Sequence, residues 1–258
     1  MTVLPALQAE LAAATDRLLA TAARLSDDDV AAPSRLPGWS RGHVLAHVAR
    51  NADSHIRLLT WAKTGVKTPQ YPTARSREAE IEAQAARSAA EHLADLRDSA
   101  ARLDAAVRDL PEQAWQASVA GMRPPDHPAW YCLVRRLREV GMHHVDLGAG
   151  YGPSDWPEAF VLRELHDCAA TWPRESSPIR SFRLPATEWK VGEDGPSVEG
   201  APADMLAWLT GRSGGEGIRL VPEGRTMTPG PAALPAPPPW LIMPAPADLP
   251  ATPPEDYP

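Results

Sequence analysis

With only two cysteines, Cys132 and Cys168, the 258-residue chain cannot build a disulfide framework, and neither cysteine has metal-finger spacing. Lysine is nearly as scarce. Lys63, Lys67 and Lys190 are the only three among 26 basic residues, no Lys/Arg-rich run occurs, and the formal net charge is -7. Phosphate backbones need a basic face, so nucleic-acid binding is excluded as a main function. Long hydrophobic runs are also missing, and Glu10 and Asp16 interrupt the first apolar stretch. Neither a membrane span nor a secretory leader is expected, and a reducing, cytoplasmic setting fits the cysteine usage.

Proline, by contrast, is abundant. Twelve of the 29 prolines fall between Arg225 and Pro258, which reads as a Pro-rich tail of extended character. Upstream of it, 43% hydrophobic and 23% charged residues describe an ordinary globule large enough for a full core. Leu4, Leu7, Leu11, Leu18 and Leu25 trace one helical face. A segment of turn formers follows, and Ser40 then stands as an N-cap before a second helix that Gly65 and Pro69 close. Ile81, Ala85, His92, Leu96, Leu103 and Val107 predict one long helix from about Ser76 to Leu110. A fourth helix follows Pro128 and stops at Gly148.

These four amphipathic segments predict a four-helix bundle over residues 1–152. Residues 153–224 alternate helix and short strand patterns and predict a small α+β domain with an antiparallel sheet. Residues 225–258 form the tail, partly docked through Trp240, with the chain from Ile242 onward dispensable for catalysis. No internal repeat is visible.

Five of eight histidines lie on the second and fourth helices. His43, His47, Asn51 and His55 recur every fourth residue and share one stripe of the second helix. On the fourth, Glu139 and His143 are four apart and project together, whereas His144 is turned about 100° away. Glu139 and His143 are therefore the natural chelating pair. One histidine of the second helix, which spacing alone leaves open among His43, His47 and His55, would complete a two-histidine, one-carboxylate set. Three protein ligands leave a coordination position open, as at a catalytic metal. Asn51 and Asp146 are near in helical projection and could orient the ligands, while Asp146 could equally cap or pair at the helix end.

The segments LPGWSRGHVLAHVARNAD, LLTWAKTGVKTPQY and LREVGMHHVDLGAG together resemble the mycothiol-dependent maleylpyruvate isomerases, a branch of the DinB-like metal-dependent thiol enzymes. The likeness runs from the first helix to PPPWL near residue 241. It implies a DinB-like four-helix bundle followed by a small α+β domain. It further implies that zinc, or another divalent metal, is held by His47, Glu139 and His143, and that Arg212 of the GRSG segment acts in catalysis. Mycothiol is the implied thiol. Its thiolate, held at the metal, would add to the cis double bond of maleylpyruvate, allow rotation, and leave to give fumarylpyruvate. Because the nucleophile is external, Cys132 and Cys168 are expected to be dispensable. His144, Gly141 and the extension after Leu241 depart from the family pattern, and Gly141 is expected to enlarge the pocket. Two alternatives share the site: a mycothiol S-transferase or thiol-exchange enzyme, and a metal- or thiol-sensing protein without turnover.

Overall fold

The computed structural model describes residues 3–185, 187–221, 234–236 and 244–258. They divide into two compact units, Met1–Gly152 with Ala247–Tyr257, and Pro153–Pro246 with Pro258.

In the first unit α1 (Val3–Ala22) is followed by a one-turn helix, α2 (Asp27–Ala31), and by α3 (Arg41–Thr64). Both α2 and α3 open on reciprocal capping boxes. Ser26 pairs with Asp29, and Ser40 pairs with His43, so that each side chain satisfies a backbone N–H of the other. The Ser40 cap is the one the sequence predicts, and Gly65 closes α3 in the left-handed conformation at φ 72°. The turn segment was expected to be irregular, but three consecutive aspartates at the positive end of α2 stabilise a short helix there.

The long third helix is corrected by the structure. It is two helices, α4 (Ala74–Glu82) and α5 (Ala89–Arg108), and Ser88 opens α5 with a capping box to Glu91. The break lies where the chain meets α3: a Cβ on Gly42 would stand 2.2 Å from the Ala85 carbonyl oxygen. Only glycine allows that approach. Gly42→Ala is expected to lower stability by about 1–3 kcal/mol, the range for overpacking a tight contact, read as a lower midpoint in urea unfolding.

A two-strand ribbon, β1 (Ser118–Val119) against β2 (His127–Pro128), leads into α6 (Tyr131–Asp146). In the four-helix arrangement α1 packs on α5 and α6, and α3 packs on the same two. Leu7, Leu18, Leu45, Leu58, Leu59, Leu133 and Leu137 are fully enclosed between them. Each such leucine contributes roughly 1.5–3 kcal/mol of burial. Arg41 at the start of α3 ties this helix to the end of α6, its Nε donating to the Leu147 carbonyl at 2.7 Å and its Nη2 to that of Gly148 at 3.2 Å. That clamp satisfies carbonyls that the end of α6 leaves open and fixes α3 against α6, the two helices that carry the histidines.

Residues 247–257 belong to the same unit. The indole of Trp130, which has no exposed surface, donates to the Pro250 carbonyl at 3.0 Å, and the Tyr257 ring meets it edge-on at 5.2 Å. The chain beyond Ile242 is thus in part packing material, whereas the expected dock, Trp240, lies outside the described residues.

The second unit contains α7 (Glu158–Thr171), β3 (Ser181–Leu184), β4 (Thr187–Lys190), β5 (Ser197–Glu199), α8 (Pro202–Leu209) and β6 (Arg219–Val221). Its strands run in the order β4-β3-β5-β6. β3–β4 and β5–β6 are antiparallel, but β3 and β5 are parallel, which corrects the expected all-antiparallel sheet. After the β3–β4 hairpin the chain crosses to the far side of β3 before β5 begins, and that return makes the two strands co-directional. Phe182 and Val198 face each other in this register, both without exposed surface, and Trp172 closes on Phe182 at 4.9 Å.

Candidate metal centre

α3 and α6 bring His47, Glu139 and His143 together, with one potential ligand atom from each lying within 4.8 Å of the other two. Both imidazoles aim Nε2 at the same carboxylate oxygen, Oε2 of Glu139, at 2.9 Å from His47 and 3.3 Å from His143. The i, i+4 spacing on α6 puts Glu139 and His143 on one face, and His47 faces them from the neighbouring helix. The Glu139 side chain is 24% exposed, against 3% for His47 and 7% for His143. A ligand therefore reaches the trio past the carboxylate.

The electrostatics of the three are unequal. Burial pushes His47 down to about 4, against the opposing pull of Glu139, so this ring is neutral at pH 7. Burial also disfavours charge on Glu139, but hydrogen bonds from His143 and His47 outweigh it and hold the carboxyl well below its usual range. His143 is buried too, yet its bonds to Asp146 and Glu139 raise its pKa. An ionised carboxylate between two imidazoles is a donor set for a divalent cation with nitrogen and oxygen preference.

The groups behind the rings decide their orientation. His143 Nδ1 donates to Asp146 Oδ2 at 2.9 Å, an arrangement that leaves Nε2 facing Glu139. A carboxylate on the far nitrogen of a ligating histidine fixes its tautomer and raises its basicity. Asp146→Asn is therefore expected to weaken divalent-metal binding about 10–100-fold while the helix content stays unchanged, measurable by metal titration and circular dichroism. Asn51, the other residue expected to orient the ligands, is engaged elsewhere: its Oδ1 accepts from Arg136 at 2.7 Å.

The other histidines of α3 and α6 are accounted for separately. His43 belongs to the α3 cap and reaches Glu82 at 3.2 Å. His55 donates from Nδ1 to the Asn51 carbonyl, and burial pushes it down to about 3. His144 bonds Thr21 at 2.8 Å and stacks on Tyr151 at 3.7 Å between centroids. Gly141 lies buried in α6, between Glu139 and His143.

Two site residues were not foreseen. Trp39, from the turn before Ser40, packs its ring edgewise on His47 at 5.7 Å. Arg77 of α4 approaches His47 Nδ1 with Nη2 at 3.2 Å, and the Arg77 guanidinium lies 5.9 Å from the centroid of the Tyr71 ring. Arg77 was hidden because nothing in the local pattern shows that α4 packs beside His47. Arg212 belongs to the second unit, in the turn after α8 that Gly211 opens at φ 72°; its Nη1 donates to the Thr210 carbonyl at 2.7 Å. Among the described residues no helix is long and apolar enough to cross a membrane.

Known proteins resemble the chain in sequence and in fold. The family description "Mycothiol maleylpyruvate isomerase N-terminal domain" matches residues 11–148. The fold is similar to a crystal structure of a mycothiol-dependent maleylpyruvate isomerase, with 29% identity, a TM-score of 0.79, and coverage of 92% of this chain and 97% of that one. A histidine-to-alanine mutant of such an isomerase is similar at 28% identity and the same TM-score and coverage. A search of curated protein sequences finds no significant match.

Proposed function

Because the chain belongs to the mycothiol maleylpyruvate isomerase family, we propose that it is a metal- and mycothiol-dependent cis–trans isomerase that converts maleylpyruvate to fumarylpyruvate. The observation that carries the reading is the convergence of His47, Glu139 and His143 from two helices on one point. Zinc is the proposed ion, since two imidazoles and a carboxylate with a position to spare suit a catalytic zinc. His47, Glu139 and His143 would hold the ion, and an ion with mycothiol bound there would supply a thiolate able to add reversibly to the cis double bond and so allow rotation.

The residues of the chain have the following parts. Glu139 stays ionised between the two rings and contributes the negative charge of the ligand set. Asp146 keeps a proton on His143 Nδ1, so that Nε2, once it gave up the proton it shares with Glu139, would offer its lone pair to an ion. His47 makes one adjustment. Its Nδ1 accepts from Arg77, so its proton is on Nε2 facing Glu139; to serve as a ligand through Nε2, His47 would need its proton on Nδ1 instead, which would free Arg77. A cation then becomes available beside the ligands. A dicarboxylate substrate approaching a protein of net charge -7 needs local cations, and we assign this task to Arg77 and Arg212. Arg212 is further assigned to stabilising the enolate that forms as the thiolate adds.

The chain's own thiols are poor nucleophiles. Both cysteines are buried, and burial pushes Cys132 up to about 12, so that almost none of its thiol is ionised at pH 7. The test is a maleylpyruvate assay on metal-analysed protein, with and without mycothiol. Turnover is expected only when both metal and thiol are present, and Cys132→Ser with Cys168→Ser is expected to leave it within about two-fold, because the nucleophile is external. Thiol-independent turnover overturns the proposal, and a stable thiol adduct in place of fumarylpyruvate points to the transferase.

A further inference from the structure

Away from the metal centre, a groove of about 600 Å³ opens between α1 and α5. Leu11, Leu19, Leu103 and Val107 wall it, and short side chains such as Ala12 and Ala101 on the facing helices leave the space unfilled. Well-packed interiors rarely leave such a volume, whereas small-molecule sites have about 300–1,000 Å³.

Arg136 of α6 also lines this groove and is only 3% exposed. Both of its hydrogen bonds use Nη1, one to the Val48 carbonyl at 2.8 Å and one to Asn51 Oδ1 at 2.7 Å. No carboxylate bonds it among the described residues, and its Nε is buried without a partner. Burial pushes the guanidinium down to about 10, which still leaves it charged at pH 7. Glu139 and Asp53 offset part of its charge from a distance, but a buried donor left without a bond stays costly until something pairs with it. Among side-chain and ligand anions, a carboxylate matches the remaining Nε and Nη2 edge, because that edge presents two parallel N–H bonds.

We propose that the α1–α5 groove is a second binding site, one for an amphipathic monocarboxylate whose apolar body lies along Leu11, Leu103 and Val107 and whose head pairs with Arg136. A medium-chain fatty-acid anion has this chemistry. Asp16, Arg97, Asp104 and Arg108 line the same groove as exposed side chains, carrying charges of both signs that cancel, so selection rests on the buried cation. The site shares no residue with the His47, Glu139 and His143 trio, and the inference stands whether or not the isomerase reading holds.

Decanoate and 1-decanol, matched in length and differing in charge, are the probes for calorimetric titration of the full chain. Decanoate is expected to bind at one site and raise the melting temperature saturably, with 1-decanol at least about ten-fold weaker, the usual worth of one charge-assisted bond. Ala101→Trp fills the groove from an exposed position, so the fold survives, and is expected to remove decanoate binding. Arg136→Met is expected to abolish the preference for the acid over the alcohol; if that variant does not fold, the Ala101→Trp result decides. Equal affinity for the two probes, absence of decanoate binding, or unchanged binding in Ala101→Trp overturns the proposal.

Discussion

Glu139→Ala is expected to strip the protein of its divalent metal and to lower kcat/KM for maleylpyruvate by about a thousand-fold or more. That is roughly 4 kcal/mol of lost transition-state stabilisation at 1.36 kcal/mol per ten-fold. The size follows from the geometry. Both Nε2 atoms point at a single oxygen of Glu139, so the substitution removes the charge that counters a dication as well as one ligand. Glu139→Gln keeps the shape and loses the charge, and should behave almost as badly. Metal analysis of both variants, alongside steady-state kinetics with mycothiol, checks the expectation. Full turnover in metal-free Glu139→Ala would refute a metal-dependent mechanism.

The second large effect is expected at Arg212, and its signature differs. Arg212→Ala should retain the metal and the fold yet lower kcat by about 100- to 1,000-fold, the usual cost of removing one donor to a developing oxyanion. Arg212→Lys keeps the charge but not the planar fork, and only partial recovery is expected. Loss of metal together with activity in Arg212→Ala would assign the residue a structural part, whereas an unchanged kcat would remove it from the chemistry. The contrast with Glu139 separates ligation from catalysis, because metal content falls in one variant and stays in the other.

How far the sequence alone reached depended on whether a signal was local. Ser40 and Gly65 are local punctuation, and α3 begins and ends on them. The pairing of Glu139 with His143 is equally local, a matter of helical repeat. The choice of His47 over His43 and His55 was not, since all three share a stripe; the family resemblance pointed to His47, and the packing of α3 on α6 brings that residue to Glu139 and His143. The break between α4 and α5 went unread because the apolar repeat continues across it from Ile81 to Ala85 and His92. A local signal was nevertheless there, Ser88 three residues before Glu91, and it opens α5 as a capping box. Arg77 had no sequence signal at all. Its position beside His47 depends on Gly42 allowing the 83–88 connection to lie against α3. The parallel pairing of β3 with β5 is likewise a property of the return path and not of either strand's residues.

The discontinuity of the first unit carries a consequence in time. The ribosome completes Gly152 well before it makes Ala247–Tyr257, the residues that cover Trp130. At about 5–20 residues per second the delay is on the order of ten seconds. Throughout it the Trp130 indole of the nascent bundle lacks the Pro250 carbonyl and the Tyr257 ring that meet it in the finished protein. A chaperone that binds apolar surface has that interval in which to act, and a nascent chain arrested before Ala247 should be captured more readily than one released after Tyr257.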